Sequence, residues 1–205
     1  MLDPVLRRWI DPPLDRAGRW LADRGVSANG LTLAGLTVGL LTVPLLAFEH
    51  YGAALLAIAV NRLLDGLDGA VARQGSPTVF GGYLDIVCDM VFYAAVPLGF
   101  AFAHPDNAVW AALLLASFVC TCASFLGRAA MARQRSEPND GRRGAKSFFY
   151  AAGLIEGTET ILAFAVFCLL PMAFPWLAAA FAVLCFWTAA GRLVMTWQSE
   201  SESES

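Results

Sequence analysis

The chain has 205 residues, of which 58% are apolar and 15% are charged, and its formal net charge is −3. A soluble domain carries roughly 25% charged residues, so this composition excludes an ordinary soluble fold and favours a membrane protein. A small negative net charge also gives no reason to expect a nucleic-acid partner.

The first 28 residues mix arginines and acids with apolar side chains and contain no continuous apolar core. We interpret residues 1–28 as an interfacial amphipathic arm, in which Trp9 and Trp20 face acyl chains while arginines meet anionic headgroups. Pro12 and Pro13 should interrupt any helix in this arm. A solvated arm is the alternative interpretation.

Six apolar runs follow, and each approaches or exceeds the roughly 20 residues that cross about 30 Å of hydrocarbon. They predict an all-α integral membrane protein, a single domain over residues 29–198 with six transmembrane helices. The predicted helices are 30–50, 52–73, 80–103, 107–133, 146–170 and 172–196. The tail 199–205 alternates Ser and Glu, which predicts disorder.

The basic residues indicate an orientation for these helices. Lys and Arg lie before the first span, near the connection between spans two and three, and around the connection between spans four and five. By the positive-inside rule, both termini and both of these connections face the cytoplasm.

The most informative segment is the run Asp65-Gly-Leu-Asp68-Gly-Ala-Val-Ala-Arg73, which is followed after seven residues by Gly81-Gly-Tyr-Leu-Asp85-Ile-Val-Cys-Asp89. Asp65 and Asp68 are three residues apart, and Asp85 and Asp89 are four apart, so each pair shares one face of its helix. An antiparallel helix pair would bring the two pairs together. Four carboxylates near lipid repel one another unless cations neutralise them, and hard divalent cations prefer oxygen ligands. Two such ions would suit phosphoryl chemistry.

This pattern resembles the signature of the CDP-alcohol phosphatidyltransferases, D-x-x-D-G-x-x-A-R, about eight residues, then G-x-x-x-D-x-x-x-D. All eight fixed positions match, and the one departure is a linker of seven residues, which changes a loop. The resemblance implies a phosphotransferase of phospholipid biosynthesis. Such an enzyme transfers a phosphatidyl group from CDP-diacylglycerol, or a similar CDP-alcohol, to a small alcohol and releases CMP.

The resemblance also implies roles for individual residues. Asp65, Asp68, Asp85 and Asp89 would bind two Mg²⁺ or Mn²⁺ ions, and Asp89 would also act as the general base. The positions that match CDP contacts are Asn29, Thr32, Gly69, Arg73 and Thr78. Asn29 could instead be the N-cap of the first predicted helix. A possible homodimer and a bacterial inner membrane location are further expectations.

Two features bear on the acceptor alcohol, and they conflict. Arg142, Arg143 and Lys146, in the basic connection that also includes Arg128, could bind a phosphate-bearing alcohol, or they could simply meet anionic lipid. Glu156 and Glu159 share a face of the fifth predicted helix and would suit a cationic or hydroxyl-rich alcohol, unless they are protonated or bonded internally. The acceptor therefore stays open.

Other interpretations of the four acids were weighed. They could be surface carboxylates, or internal salt-bridge partners of Arg62 and Arg73. A different class of protein, an ion-coupled transporter with the acids as its cation site, would more often show repeated halves and polar residues on several helices. The confinement of the acids to one hairpin favours the enzyme.

Overall fold

The computed structural model describes residues 3–134 and 157–204, and within these ranges it consists of helices and short connections. The helices are α1 Asp3–Ala22, α2 Ala28–Leu40, α3 Thr42–Ala47, α4 Tyr51–Gln74, α5 Val79–Ala103, α6 Ala108–Gln134, α7 Gly157–Leu169 and α8 Phe174–Glu204. Short 3₁₀ turns at Pro105–Asn107 and Pro171–Ala173 precede α6 and α8. The all-α fold class is confirmed.

Four segments are long and apolar enough to cross a membrane, namely Ala28–Ala47, Val79–Ala103, Pro105–Met131 and Pro171–Gln198. They correspond to the first, third, fourth and sixth predicted spans. Helix α4 has 24 residues but carries four charged side chains. The described part of the fifth span, α7, has 13 residues. The total of six spans therefore stays a prediction.

Side-chain caps and prolines determine where several helices begin and end. Ser27 is the N-cap of α2, where its Oγ accepts a hydrogen bond from the Gly30 amide at 3.1 Å, so the alternative role considered for Asn29 was wrong. The first predicted span, 30–50, forms two helices, α2 and α3, that meet at Leu41. Pro44 supplies a reason for the break, because it lacks the N–H that would bond to the carbonyl four residues earlier.

Two expectations for the ends of the chain were wrong. Helix α1 continues through Pro12 and Pro13, because the helical φ of proline preserves the path of the chain while the flanking hydrogen bonds hold it. Helix α8 continues to Glu204 and includes most of the Ser/Glu tail. Extension of an existing helix adds one hydrogen bond per residue, and no glycine or proline stops it after Gly191.

Helix α1 packs closely against α4 through small residues. A Cβ atom added at Gly18 would lie 2.7 Å from the Ala70 Cβ and 2.8 Å from the Ala70 carbonyl carbon. Likewise, a Cβ atom at Gly66 would lie 2.9 Å from Leu14 Cδ1. Glycines at these positions let the two helices approach, and the amphipathic helix is thereby attached to the helix that carries the first two acids.

Gly18→Ala should therefore destabilise the protein by about 1 to 3 kcal/mol, because the added methyl group must displace the backbone of α4. The measurement is thermal unfolding of the purified protein in detergent. Gly52→Ala in α4 is the matched control, since a Cβ atom at Gly52 meets nothing within 4 Å. Equal unfolding temperatures for the two variants would contradict this description of the contact.

The apolar core is formed by residues of α3 through α8. Its largest members are phenylalanines that are at most 1% exposed, namely Phe92, Phe100, Phe164, Phe167 and Phe174. The rings of Phe100 and Phe174 stack with their centroids 4.3 Å apart, and Phe92 meets Phe164 edge to face at 6.0 Å. This packing fixes α5, and with it the second pair of acids.

Candidate active site

Three of the four predicted ligands come together at the α4–α5 hairpin. Asp65, Asp68 and Asp85 each offer one carboxylate oxygen, and these oxygens lie within 4.8 Å of one another. Asp68 is buried, and the other two are partly exposed. The helical spacing in the sequence explains the arrangement, because Asp65 and Asp68 share a face of α4 that α5 meets with Asp85.

Asp89 lies beside this three-carboxylate cluster, where its side chain contacts that of Asp65 and lines the same cleft. Its Oδ1 accepts a hydrogen bond of 2.8 Å from Nη2 of Arg62, and Nη1 of Arg62 lies 3.5 Å from Asp65 Oδ2. The internal salt bridges that were weighed as an alternative therefore occur for Asp89 and Asp65. Among the described residues, Asp68 and Asp85 form no salt bridge.

Hydrogen bonds and two aromatic rings hold the Arg62 side chain in place. Its Nε donates to Asn61 Oδ1 at 2.8 Å, and Asn61 Nδ2 donates in turn to the Gly35 carbonyl of α2 at 2.8 Å. Its guanidinium carbon lies 4.7 Å from the centre of the Phe92 ring and 5.7 Å from that of Tyr93. Arg62 was expected to be a charge near a connection or a salt-bridge partner of the acids, and its contacts with Asn61, Phe92 and Tyr93 were not predicted. An Asn-Arg pair within an otherwise apolar helix was the available signal.

The first turns of α2 contact the hairpin that carries the acids. Thr32 Oγ1 donates a hydrogen bond of 2.6 Å to Asp68 Oδ2, and both side chains are buried. Asn29 Oδ1 lies 3.3 Å from the position that a Cβ atom on Gly81 would occupy, so Asn29 lies against the first turn of α5. Two of the predicted CDP contacts, Asn29 and Thr32, therefore border the hairpin that carries the cluster.

The other predicted CDP contacts lie toward the loop that connects α4 to α5. Thr78 is exposed and is the N-cap of α5, where its Oγ1 accepts from the Gly81 amide at 2.9 Å. Arg73 donates to Asp15 Oδ1 of α1 through Nη2 at 2.7 Å and Nε at 3.1 Å. Gly69 lies beside the Arg73 guanidinium. The contribution of Asp15 was not predicted, because nothing in the sequence pairs α1 with α4.

A cleft between α2, α4 and α5 brings Asp89 together with Asp65 and Asp68. Its lining residues are Thr32, Gly35, Leu36, Asn61, Arg62, Asp65, Asp68, Cys88 and Asp89. The three clustered carboxylates present only oxygen donors, and the one guanidinium in the lining is bonded to Asp89. Hard divalent cations such as Mg²⁺ and Mn²⁺ suit this donor set, and they would balance its negative charge.

A second cavity of about 130 Å³ lies between α6 and α8. Arg128 and Arg192 line it together with the hydroxyl side chains Ser124 and Thr196. Arg192 is 8% exposed and donates through Nη1 to the Thr121 carbonyl at 3.3 Å. Arg128 was among the predicted basic residues, whereas Arg192 was interpreted only as a charge near a helix end.

The remaining predicted acceptor residues are described only in part. Arg142, Arg143, Lys146 and Glu156 lie outside the described residues. Glu159 is partly exposed in the first turn of α7. The first residue of α7 lies close to Tyr93, since a Cβ atom at Gly157 would be 3.5 Å from the Tyr93 hydroxyl. The Tyr93 ring in turn faces Arg62, so this end of α7 lies near the acid site.

The sequence of the chain is similar to a protein family and to individual known proteins. The family model for CDP-alcohol phosphatidyltransferase matches residues 26–189. The chain is 47% identical over 194 residues to the inner membrane protein YnjF of Escherichia coli, covering 94% of each chain. It is 36% identical over 97 residues to the archaetidylinositol phosphate synthase of Pyrococcus horikoshii, covering 47% of this chain and 52% of that protein.

The fold also matches a solved structure. The crystal structure of Mycobacterium tuberculosis phosphatidylinositol phosphate synthase (PgsA1) with CDP-DAG bound superposes with a TM-score of 0.70 at 24% identity. The match covers 90% of this chain and 93% of that chain. At this identity the likeness concerns the fold.

Proposed function

The chain belongs to the CDP-alcohol phosphatidyltransferase family, and we propose that it transfers a phosphatidyl group from CDP-diacylglycerol to a small alcohol with release of CMP. The observation that carries the proposal is the cluster of Asp65, Asp68 and Asp85 with its oxygens within 4.8 Å, and Asp89 beside it. The CDP-DAG in the structural relative supports a CDP-linked lipid as the donor.

Asp65, Asp68 and Asp85 are the residues that would hold Mg²⁺ or Mn²⁺. When bound, such ions stabilise the negative charge that develops on the phosphoryl oxygens and on the departing phosphate. Asp89 was predicted as both ligand and base. Its place beside Asp65 in the same cleft supports both roles.

The protein side chains would then act in sequence. Asn29, Thr32, Gly69, Arg73 and Thr78 hold the CDP part of the donor next to the acids. Asp89 takes the proton of the acceptor hydroxyl, and the acceptor oxygen attacks the lipid-side phosphorus of the diphosphate. The bond from that phosphorus to the bridging oxygen breaks, and CMP leaves with the oxygen.

The cavity between α6 and α8 supports an acceptor that carries a phosphate. Two guanidinium groups and two hydroxyls around about 130 Å³ suit a phosphate better than they suit a cationic alcohol. Glycerol 3-phosphate and inositol phosphate are the candidates. The partial relative from Pyrococcus is named for a product of the second type. Glu159, at the start of α7, keeps a hydroxyl-rich or cationic acceptor as the second candidate.

The test is a screen of CMP release by the purified protein with glycerol 3-phosphate, inositol phosphate, inositol, serine and choline. With a phosphate-bearing acceptor, Arg192→Gln should raise the Michaelis constant for the acceptor by more than about 10-fold and leave that for CDP-diacylglycerol nearly unchanged. Turnover only with serine or choline would overturn the proposed acceptor class.

Variants of the other predicted acceptor residues separate the two candidates. Glu156→Gln or Glu159→Gln should raise the Michaelis constant for the alcohol only if those acids bind it. The double change Arg142→Ala with Arg143→Ala should be near neutral if these residues meet lipid headgroups, and should weaken a phosphate-bearing acceptor by more than about 1.5 kcal/mol if they bind it.

The location of the protein is part of the proposal. The four apolar helices and the resemblance to an Escherichia coli inner membrane protein support a bacterial inner membrane. By the positive-inside rule, the distribution of Lys and Arg supports a cytoplasmic location for both termini and for the acids. A homodimer stays an expectation. The transporter alternative loses its support, because the motif belongs to a family of transferases.

A further inference from the structure

Asp15 is an acid of helix α1 that contacts a predicted CDP-binding residue of α4. Its Oδ1 accepts two hydrogen bonds from Arg73, one from Nη2 at 2.7 Å and one from Nε at 3.1 Å. The side chains of Arg73 and Asp15 are 45% and 39% exposed, and an ion pair this exposed contributes little to the free energy of unfolding. The contact therefore matters more for the position of the guanidinium than for stability.

The contact restrains a long side chain at the end of a helix. Arg73 lies in the last turn of α4, where an arginine has many rotamers unless a partner holds it. Because the guanidinium is planar, holding its Nε–Nη2 edge also fixes the direction of the remaining nitrogen, Nη1. Nη1 lies 3.4 Å from the position that a Cβ atom on Gly69 would occupy. Gly69 is itself a predicted CDP contact, so the edge that Asp15 does not contact lies on the side of the predicted donor site.

The backbone of α1 holds Asp15 in place relative to α4. Gly18 lies one helical turn after Asp15, and Ala70 lies one turn before Arg73. A Cβ atom at Gly18 would be 2.7 Å from the Ala70 Cβ, so the two helices are in close contact at this point. The carboxylate therefore comes from a helix that is packed against α4.

We propose that Asp15 is a positioning residue that directs the Nη1 edge of Arg73 toward the diphosphate of the CDP-linked donor. A guanidinium that is already held in one orientation binds phosphate oxygens without first losing the rotamer freedom of a long side chain. Helix α1 is then part of the donor site, in addition to its expected place at the membrane surface. This inference rests on the proposed function, in which Arg73 contacts the CDP part of the donor.

Asp15→Asn should weaken donor binding and leave the chemical step nearly unchanged. The amide keeps the size of the carboxylate but loses its charge, so it holds Arg73 less firmly. The Michaelis constant for CDP-diacylglycerol should rise about 5- to 20-fold, while kcat and the Michaelis constant for the acceptor stay within about 2-fold. Asp15→Glu keeps the charge and should return the donor constant to within about 3-fold of its original value. The matched control, Asp23→Asn, removes an exposed acid from the turn after α1 and should change none of these quantities.

A double variant separates an effect through Arg73 from a general loosening of α1. Arg73→Gln alone should raise the Michaelis constant for CDP-diacylglycerol by more than about 10-fold. Addition of Asp15→Asn should raise it by less than about 2-fold further, because Asp15 acts through Arg73. Multiplication of the two effects would contradict the proposal. A lowered kcat with an unchanged donor constant in Asp15→Asn would contradict it as well, since that result indicates only a loss of folded protein.

Titration of CDP alone provides a readout that needs no turnover. CDP is titrated calorimetrically into the full-length protein in detergent with Mg²⁺ present. Its affinity should fall about 5- to 20-fold in Asp15→Asn and stay unchanged in Asp23→Asn. Unchanged affinity in Asp15→Asn, or no CDP binding by the unmodified protein, would overturn the proposal. Tighter binding would also overturn it, because Asp15 would then compete with the donor for Arg73. Absence of transfer by the unmodified protein would refute the proposed function, while the CDP titrations would still test the inference.

Discussion

Removal of divalent cations with excess EDTA should reduce phosphatidyl transfer by at least about 10³-fold, and Mg²⁺ or Mn²⁺ should restore it. The expectation follows from the negative charge of the clustered carboxylates. Three carboxylates lie within 4.8 Å of one another, and the one guanidinium of Arg62 is shared between Asp65 and Asp89, so it cannot balance the charge of all four acids. The measurement is CMP release before and after chelation.

Asp68→Asn provides the same test by substitution. This residue is 6% exposed and receives a hydrogen bond from Thr32, so the amide should fit the site while it weakens metal binding. Activity should fall as far as it does on chelation, and added Mn²⁺ should not restore it fully. Turnover that survives excess EDTA, or a near-normal rate in this variant, would contradict the metal-dependent mechanism.

Asp89→Asn should lower the rate by about 10² to 10⁴-fold while CDP-diacylglycerol still binds, because the amide keeps the size of the side chain but removes the base. The control is Asp106→Asn, which removes an exposed acid from the turn before α6. A near-normal rate for Asp89→Asn at neutral pH would place the base elsewhere.

The sequence was sufficient to predict the convergence of the acids, for a simple physical reason. Residues three or four apart share a helix face, and consecutive membrane helices joined by a short connection are antiparallel neighbours. Asp65, Asp68 and Asp85 meet as this argument requires. The positions of the helices were predicted from the lengths of the apolar runs. Four of the six predicted spans have the length and composition of a membrane-crossing helix.

The sequence offered a salt bridge between the acids and Arg62 only as an alternative, because the pairing with Asp89 depends on the rotation of α4 about its axis. A turn of a few tens of degrees decides whether Arg62 faces lipid, the loop or α5. The pair Asp15–Arg73 depends likewise on the docking of α1, which close contacts at Gly18 and Gly66 determine. Such contacts between distant segments leave no periodic signal in the sequence.

The cavity of Arg128 and Arg192 escaped prediction for the same reason. The two arginines are 64 residues apart and meet only because α6 and α8 pack side by side. The sequence analysis instead emphasised Arg142 and Arg143, whose charges are adjacent in the chain. Local clustering of charge is visible in a sequence, whereas convergence of single charges from two helices requires the packing.

The most direct test of the central claim follows the lipid-side phosphate of the donor. CDP-diacylglycerol labelled with radioactive phosphorus at that position is incubated with the purified protein, Mg²⁺ and the acceptor that gives the most CMP. The label should appear in a new lipid that contains the acceptor, in an amount equal to the unlabelled CMP released, and Asp68→Asn should form none. Label that stays in the donor, or that is found in phosphatidate irrespective of the acceptor, would contradict transfer to an alcohol.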